Sequence, residues 1–96
     1  MHTMKYMVHE DPGHGWLAVP RKELKRLGIL KEISNFSYQK GKTVYLEEDC
    51  DASLFVDAKA KLNETCEFAY SKNRHCYTKY SQIRRFQSFQ LAPDEC

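Results

Sequence analysis

A chain of 96 residues, 42% hydrophobic and 29% charged, is long enough for one small core and too short for two, so a single domain over 1–96 is expected. The composition excludes a disordered or fibrous chain, and no apolar run approaches the roughly 20 residues that a membrane-spanning helix needs. The formal net charge is only +2, far short of the footprint of a protein that holds nucleic acid by charge alone.

In chain order, Lys5–Glu10 and Gly15–Val19 are short runs of β-branched, aromatic and apolar residues separated by Asp11, Pro12, Gly13 and His14. That pattern predicts a β-hairpin. Pro20 follows in the first turn of a two-turn helix that buries Leu24 and Leu27 and stops at Gly28. A second hairpin is predicted over Ser34–Glu48, with Gly41 in its connection. Asp51 then caps a helix from Ala52 to Leu62, with Leu54, Phe55, Ala58 and Leu62 on its buried face and Asn63 ending it. "CEFAY" alternates as a strand, "SKNRHCYTKYSQ" reads as a polar loop, and "IRRFQSFQL" as a last edge strand. The expected fold is α+β, in the order β-β-α-β-β-α-β: a small antiparallel sheet of five or six strands with two helices packed on one face.

The N-terminal "MHTMKYMVHEDPG" contains no apolar stretch of signal-peptide length, which points to the cytoplasm and to no membrane partner. There Cys50, Cys66, Cys76 and Cys96 are expected as thiols, and the "NET" glycosylation pattern at 63–65 carries no meaning. The cysteines include no CxxC pair, so a zinc ribbon is not supported. Cys76 lies beside His75 among basic residues, but adjacency in sequence does not make a reactive dyad, since neighbours on a strand point to opposite faces.

Three surfaces are candidate sites. His9, Asp11 and His14 place two imidazoles and a carboxylate around the first turn; the spacing is generic, and a plain turn with exposed histidines explains it. Trp16 is expected in the core. Glu47, Glu48, Asp49 and Asp51 crowd a strand end and a helix start. Asp49 and Asp51 can serve the helix N-terminus, and the excess could meet a cation or a basic partner. From Tyr70 to Gln90 there are five bases, Lys72, Arg74, Lys79, Arg84 and Arg85, and no acid, interleaved with Tyr70, Tyr77, Tyr80, Phe86 and Phe89. Such alternation suits stacked bases and phosphates, although part of the aromatic set must serve the core.

The stretches "DPGHGWLAVPRKELKRLGI", "SYQKG" and "VYLEEDCD" resemble a group of small, uncharacterised accessory proteins of tailed bacteriophages, prophages and bacterial mobile elements. The resemblance covers residues 5–62 and returns in "IRRF", leaving the 71–82 loop and the tail "APDEC" outside it. It implies a short accessory protein made in a bacterial cytoplasm, and it carries no catalytic residue, cofactor or metal ligand. No nucleophile elbow, Walker loop, dinucleotide-binding glycine pattern or zincin helix is present. The expectation is a non-enzymatic module that binds a host protein, inhibition of a host or defence factor being one form of it. Glu47, Glu48, Asp49, Lys72, Arg74, Lys79, Arg84 and Arg85 are its candidate contacts. A nucleic-acid or nucleotide binder using the basic segment is the second reading, and a small metal-dependent enzyme on His9, Asp11 and His14 the third.

Overall fold

The computed structural model describes residues 3–70 and 82–95; Lys72, Arg74, His75, Cys76, Tyr77, Lys79, Tyr80 and Cys96 lie outside them. Strand β1 (Thr3–Glu10) turns back into β2 (Gly15–Pro20), followed by helix α1 (Arg21–Arg26) and a 3₁₀ turn at Leu30–Glu32. Strands β3 (Tyr38–Lys40) and β4 (Thr43–Glu47) form the second hairpin, then come helix α2 (Asp51–Lys61) and strand β5 (Thr65–Tyr70). A 3₁₀ turn at Gln82–Arg85, the two-residue strand β6 (Gln87–Ser88) and a last 3₁₀ turn at Pro93–Glu95 complete the described chain. No helix among the described residues is long and apolar enough to cross a membrane.

Local chemistry accounts for the stops. Gly28 and Gly41 take left-handed φ values of +72° and +61°, which only a residue without Cβ adopts freely. The first turn is closed by Asp11, whose Oδ1 accepts the backbone N–H groups of Gly13 and His14, each at 3.0 Å. Pro20 ends β2 and directly precedes α1, in the position where a missing N–H does no harm.

All six strands form one mixed α+β sheet in the order β5-β1-β2-β4-β3-β6. Four pairings are antiparallel, and β1–β5 is parallel, with Thr3 opposite Thr65 and Val8 opposite Tyr70. This corrects the all-antiparallel expectation. The connection from β4 runs through α2, and a helical crossover can return a strand parallel to a neighbour where a tight hairpin cannot. The predicted second hairpin shrinks to Tyr38–Glu47, and the predicted final strand survives only as Gln87–Ser88.

The inner face carries the core. Val8, Leu17 and Leu46 stand in one cross-strand row, and Val19 faces Val44. Leu24 of α1 and Phe55 of α2, both fully buried, close over them, and the Phe55 ring meets Tyr6 edge-on at 5.0 Å. Both helices therefore lie on the face that the apolar alternation marks. The buried stripe of α2 departs from the expected one: Leu62 is half exposed, and Lys59 is buried. Its ammonium bonds Glu64 at 2.8 Å and approaches Glu23 at 3.4 Å, and Arg26 joins the same two carboxylates. Burial alone would lower the Lys59 pKa, but Glu64, then Tyr6, and the Glu23 charge hold it above its usual value.

Asp51 does not cap its helix. Its buried carboxylate turns away to accept the Ser34 N–H, the Ser34 hydroxyl and the Ser37 hydroxyl. Glu47 satisfies the turn before the helix instead, its Oε2 accepting the Asp49 and Cys50 N–H groups at 3.0 and 3.1 Å.

Candidate functional site

The structure sends the three residues of the first turn to three different tasks. His9 shares the outer face of the sheet with Trp16 and Glu47, in the row His9–Trp16–Glu47 across β1, β2 and β4. Its ring packs edge-on against Tyr45 at 5.7 Å, and burial pushes its pKa down. Asp11 is taken by the turn and by Arg84, whose guanidinium donates to both carboxylate oxygens at 2.6 and 3.0 Å. His14 is exposed and stands with Nδ1 3.8 Å from Glu47 Oε1. His9, Asp11 and His14 thus do not converge as a ligand set.

What does converge spans two elements. The ligating atoms of His14, from the turn, and of Glu47 and Glu48, from the end of β4, lie within 4.8 Å of one another. The β2–β4 register places Glu47 opposite Trp16, and the Glu48 N–H donates to the Gly15 carbonyl at 3.1 Å. The Glu48 carboxylate lies close over Gly15, where a Cβ would meet its Oε2 at 2.8 Å and move that flexible side chain. Asp49, the third acid proposed from sequence, is exposed and stands outside this group.

The outer face beside it is aromatic and cationic. Arg84 lies over Trp16 at 5.6 Å, Lys40 over Phe86 at 4.8 Å, and Phe86 packs on Tyr45 at 5.2 Å. Trp16 is buried as its hydrophobicity implies, but on this face and not under the helices; its Nε1 has no hydrogen-bond partner among the described residues. Of the five bases proposed as contacts, Arg84 is engaged with Asp11 and Arg85 is exposed; Lys72, Arg74 and Lys79 lie outside the described residues.

On the inner face α2 leaves β5 partly uncovered. An open groove of about 400 Å³ runs between them, floored by Val8 and Leu17 and walled by Ala52, Val56, Phe68 and Tyr70. Val56, Phe68 and Tyr70 are 36%, 44% and 51% exposed, and Glu48 and Asp57 stand on the lining. The alternation of Cys66, Phe68 and Tyr70 signals a strand with one apolar face; nothing local reveals that α2 stops short of covering it. Cys50 and Cys66 form no disulfide with a described residue. Burial first, and for Cys50 the neighbouring Glu47, Asp51 and Asp49 carboxylates next, push both thiols up and away from nucleophilic use.

No family model, no curated protein and no solved structure matches this chain.

Proposed function

We propose that the chain is a non-enzymatic binding module that takes a segment of a partner protein into the groove between α2 and β5. The observation that carries this reading is the contrast in that groove: three large apolar side chains, Val56, Phe68 and Tyr70, remain exposed around a floor that belongs to the core. An apolar anchor gains most by entering such a cleft, and water leaves both surfaces. The charged members of the lining, Glu48 and Asp57, are both acidic, so the segment that fits best places a Lys or Arg next to its apolar anchor. Together with the resemblance to phage accessory proteins, this supports a cytoplasmic protein of a phage or mobile element that occupies a surface of a bacterial host or defence protein.

A random peptide library displayed against the full chain tests the groove. Selection should enrich aliphatic or aromatic residues adjacent to Lys or Arg, and Val56→Glu should weaken the selected peptides by roughly tenfold, about 1.4 kcal/mol, with the circular dichroism unchanged. No enrichment, or peptides indifferent to Val56→Glu, would refute the proposal. So would sub-micromolar, salt-sensitive binding of a single-stranded oligonucleotide lost in Arg84→Glu with Arg85→Glu, which would instead support the nucleic-acid reading.

A further inference from the structure

Among the described residues, most carboxylates that are wholly or partly buried face a cation. Asp11 is paired with Arg84, Glu23 with Arg26 and Lys59, Glu64 with the same two cations, and Glu95 with Arg21 and Lys25. Asp51 has no cation but accepts three hydrogen bonds. Glu47 is different. It is only 8% exposed, and neither it nor Glu48 pairs with a Lys or Arg among the described residues. Its Oε2 serves two backbone N–H groups, while Oε1 faces the His14 ring at 3.8 Å, beyond hydrogen-bond reach.

With Oε1 facing an imidazole and a second carboxylate, this largely buried group has no Lys or Arg charge beside it among the described residues, and a cation would supply one. Neighbouring features supply a frame for one. The Asp11–Arg84 pair and the two N–H bonds to Asp11 fix the turn that carries His14. Arg84 itself is neutralised there and stacked on Trp16. The bare Gly15 leaves space that the Glu48 carboxylate occupies.

We propose that His14, Glu47 and Glu48 bind one divalent first-row transition cation at the end of the β1–β2 hairpin. One imidazole and two carboxylates suit Mn²⁺, Fe²⁺, Co²⁺ or Zn²⁺, while Mg²⁺ and Ca²⁺ prefer oxygen alone and Cu⁺ prefers sulfur. Bonds of about 2.0–2.2 Å bring ligating atoms to roughly 3–3.5 Å from one another, so a group spread over up to 4.8 Å closes by roughly 1.3–1.8 Å at its widest. His14 and Glu48 are exposed and free to make that movement, and the buried Glu47 is the fixed point. Three protein ligands leave coordination positions for water or for an oxygen atom of a partner. The cation sits beside the groove and shares Glu48 with it, so its binding is tested without a peptide present.

Cobalt(II) is the probe. Titrated into the full chain, it should bind at one equivalent with the visible absorption of a nitrogen–oxygen site. His14→Ala and Glu48→Gln, both at exposed positions, should each weaken it by about tenfold or more, while His9→Gln and Asp49→Asn leave it unchanged. Mn²⁺ and Zn²⁺ should compete. Absence of binding below millimolar Co²⁺, Mn²⁺ or Zn²⁺ would overturn the proposal, as would affinity that survives both His14→Ala and Glu48→Gln. A sulfur-to-cobalt charge-transfer band would also overturn it, by assigning the metal to the cysteines. Because the readout contains no peptide, failure of the groove proposal leaves this result intact, and the reverse holds.

Discussion

Under its helices the sheet is packed by Leu17, Val19, Leu24, Val44, Leu46 and Phe55, carbon against carbon; on its other face Trp16, Tyr38, Tyr45 and Phe86 are packed against one another and beneath the cations of Arg84 and Lys40. The inner cover is two helices tied to the sheet by short connections. The outer cover includes one short segment around the buried Ile83, fastened to the first hairpin by the Asp11–Arg84 pair. Aliphatic packing depends on volume and is indifferent to charge, while a cation over an aromatic ring depends on the partner that neutralises it. The two faces should therefore fail in different ways.

The largest effect is expected inside. Phe55→Ala removes a fully buried ring that touches Tyr6 and should destabilise by about 3–5 kcal/mol, a large share of the ~5–15 kcal/mol typical of a whole domain. Urea unfolding followed by far-ultraviolet circular dichroism measures it, and a loss under 1 kcal/mol would mean that the inner face is not the principal core.

Arg84→Gln comes next. It removes the Arg84 guanidinium from the Asp11 carboxylate, 1% exposed, and uncovers Trp16, at about 1.5–3 kcal/mol by the usual value of a charge-assisted bond. Trp16 is the single tryptophan, so its emission should shift to the red in the folded variant while the circular dichroism stays native. An unshifted spectrum would show that the outer cover does not rest on this pair.

The smallest effect lies at the margin of the inner face, where Arg26 first and Lys59 second hold the Glu64 carboxyl down to about 2. A lowered carboxyl pKa stabilises the folded state above the unfolded value, and that contribution fades as pH falls from about 4.5 toward 2. Wild-type stability should decline across that window, and Glu64→Gln should flatten the decline. Equal slopes for the two proteins in urea titrations between pH 5 and pH 2.5 would remove Glu64 from the acid response.

Much of the inner face can be read in the chain because it is written locally. The Asp-Pro-Gly turn, Gly28, Gly41 and the alternation of Val19, Val44 and Leu46 each act over a few residues. Direction is another matter: alternation places Cys66, Phe68 and Tyr70 on one face of a strand but says nothing of whether β5 runs with β1 or against it. Lys59 looks like an ordinary surface lysine of a helix, since Glu23, which helps to make its burial tolerable, is 36 residues away. The site at the hairpin end was divided in the same manner. "HEDPGHG" and "LEEDCD" each carry visible ligand chemistry, and only the β2–β4 pairing brings one residue of the first beside two of the second.

The parallel pair between β1 and β5 has a bearing on how the molecule assembles. Each antiparallel neighbour in the sheet other than β2–β4 and β3–β6 is reached by a short turn, but Thr3 meets Thr65 and Val8 meets Tyr70 only after both hairpins and both helices have been threaded between them. The loop-closure entropy of such a pairing is met before any contact rewards it, so β5 is expected to dock late in folding and to be among the first elements to open. Phe68 and Tyr70 belong to that strand. The apolar wall therefore becomes complete only when this long-range pairing has closed, and during synthesis the earlier strands can form before any partner finds a finished surface to hold.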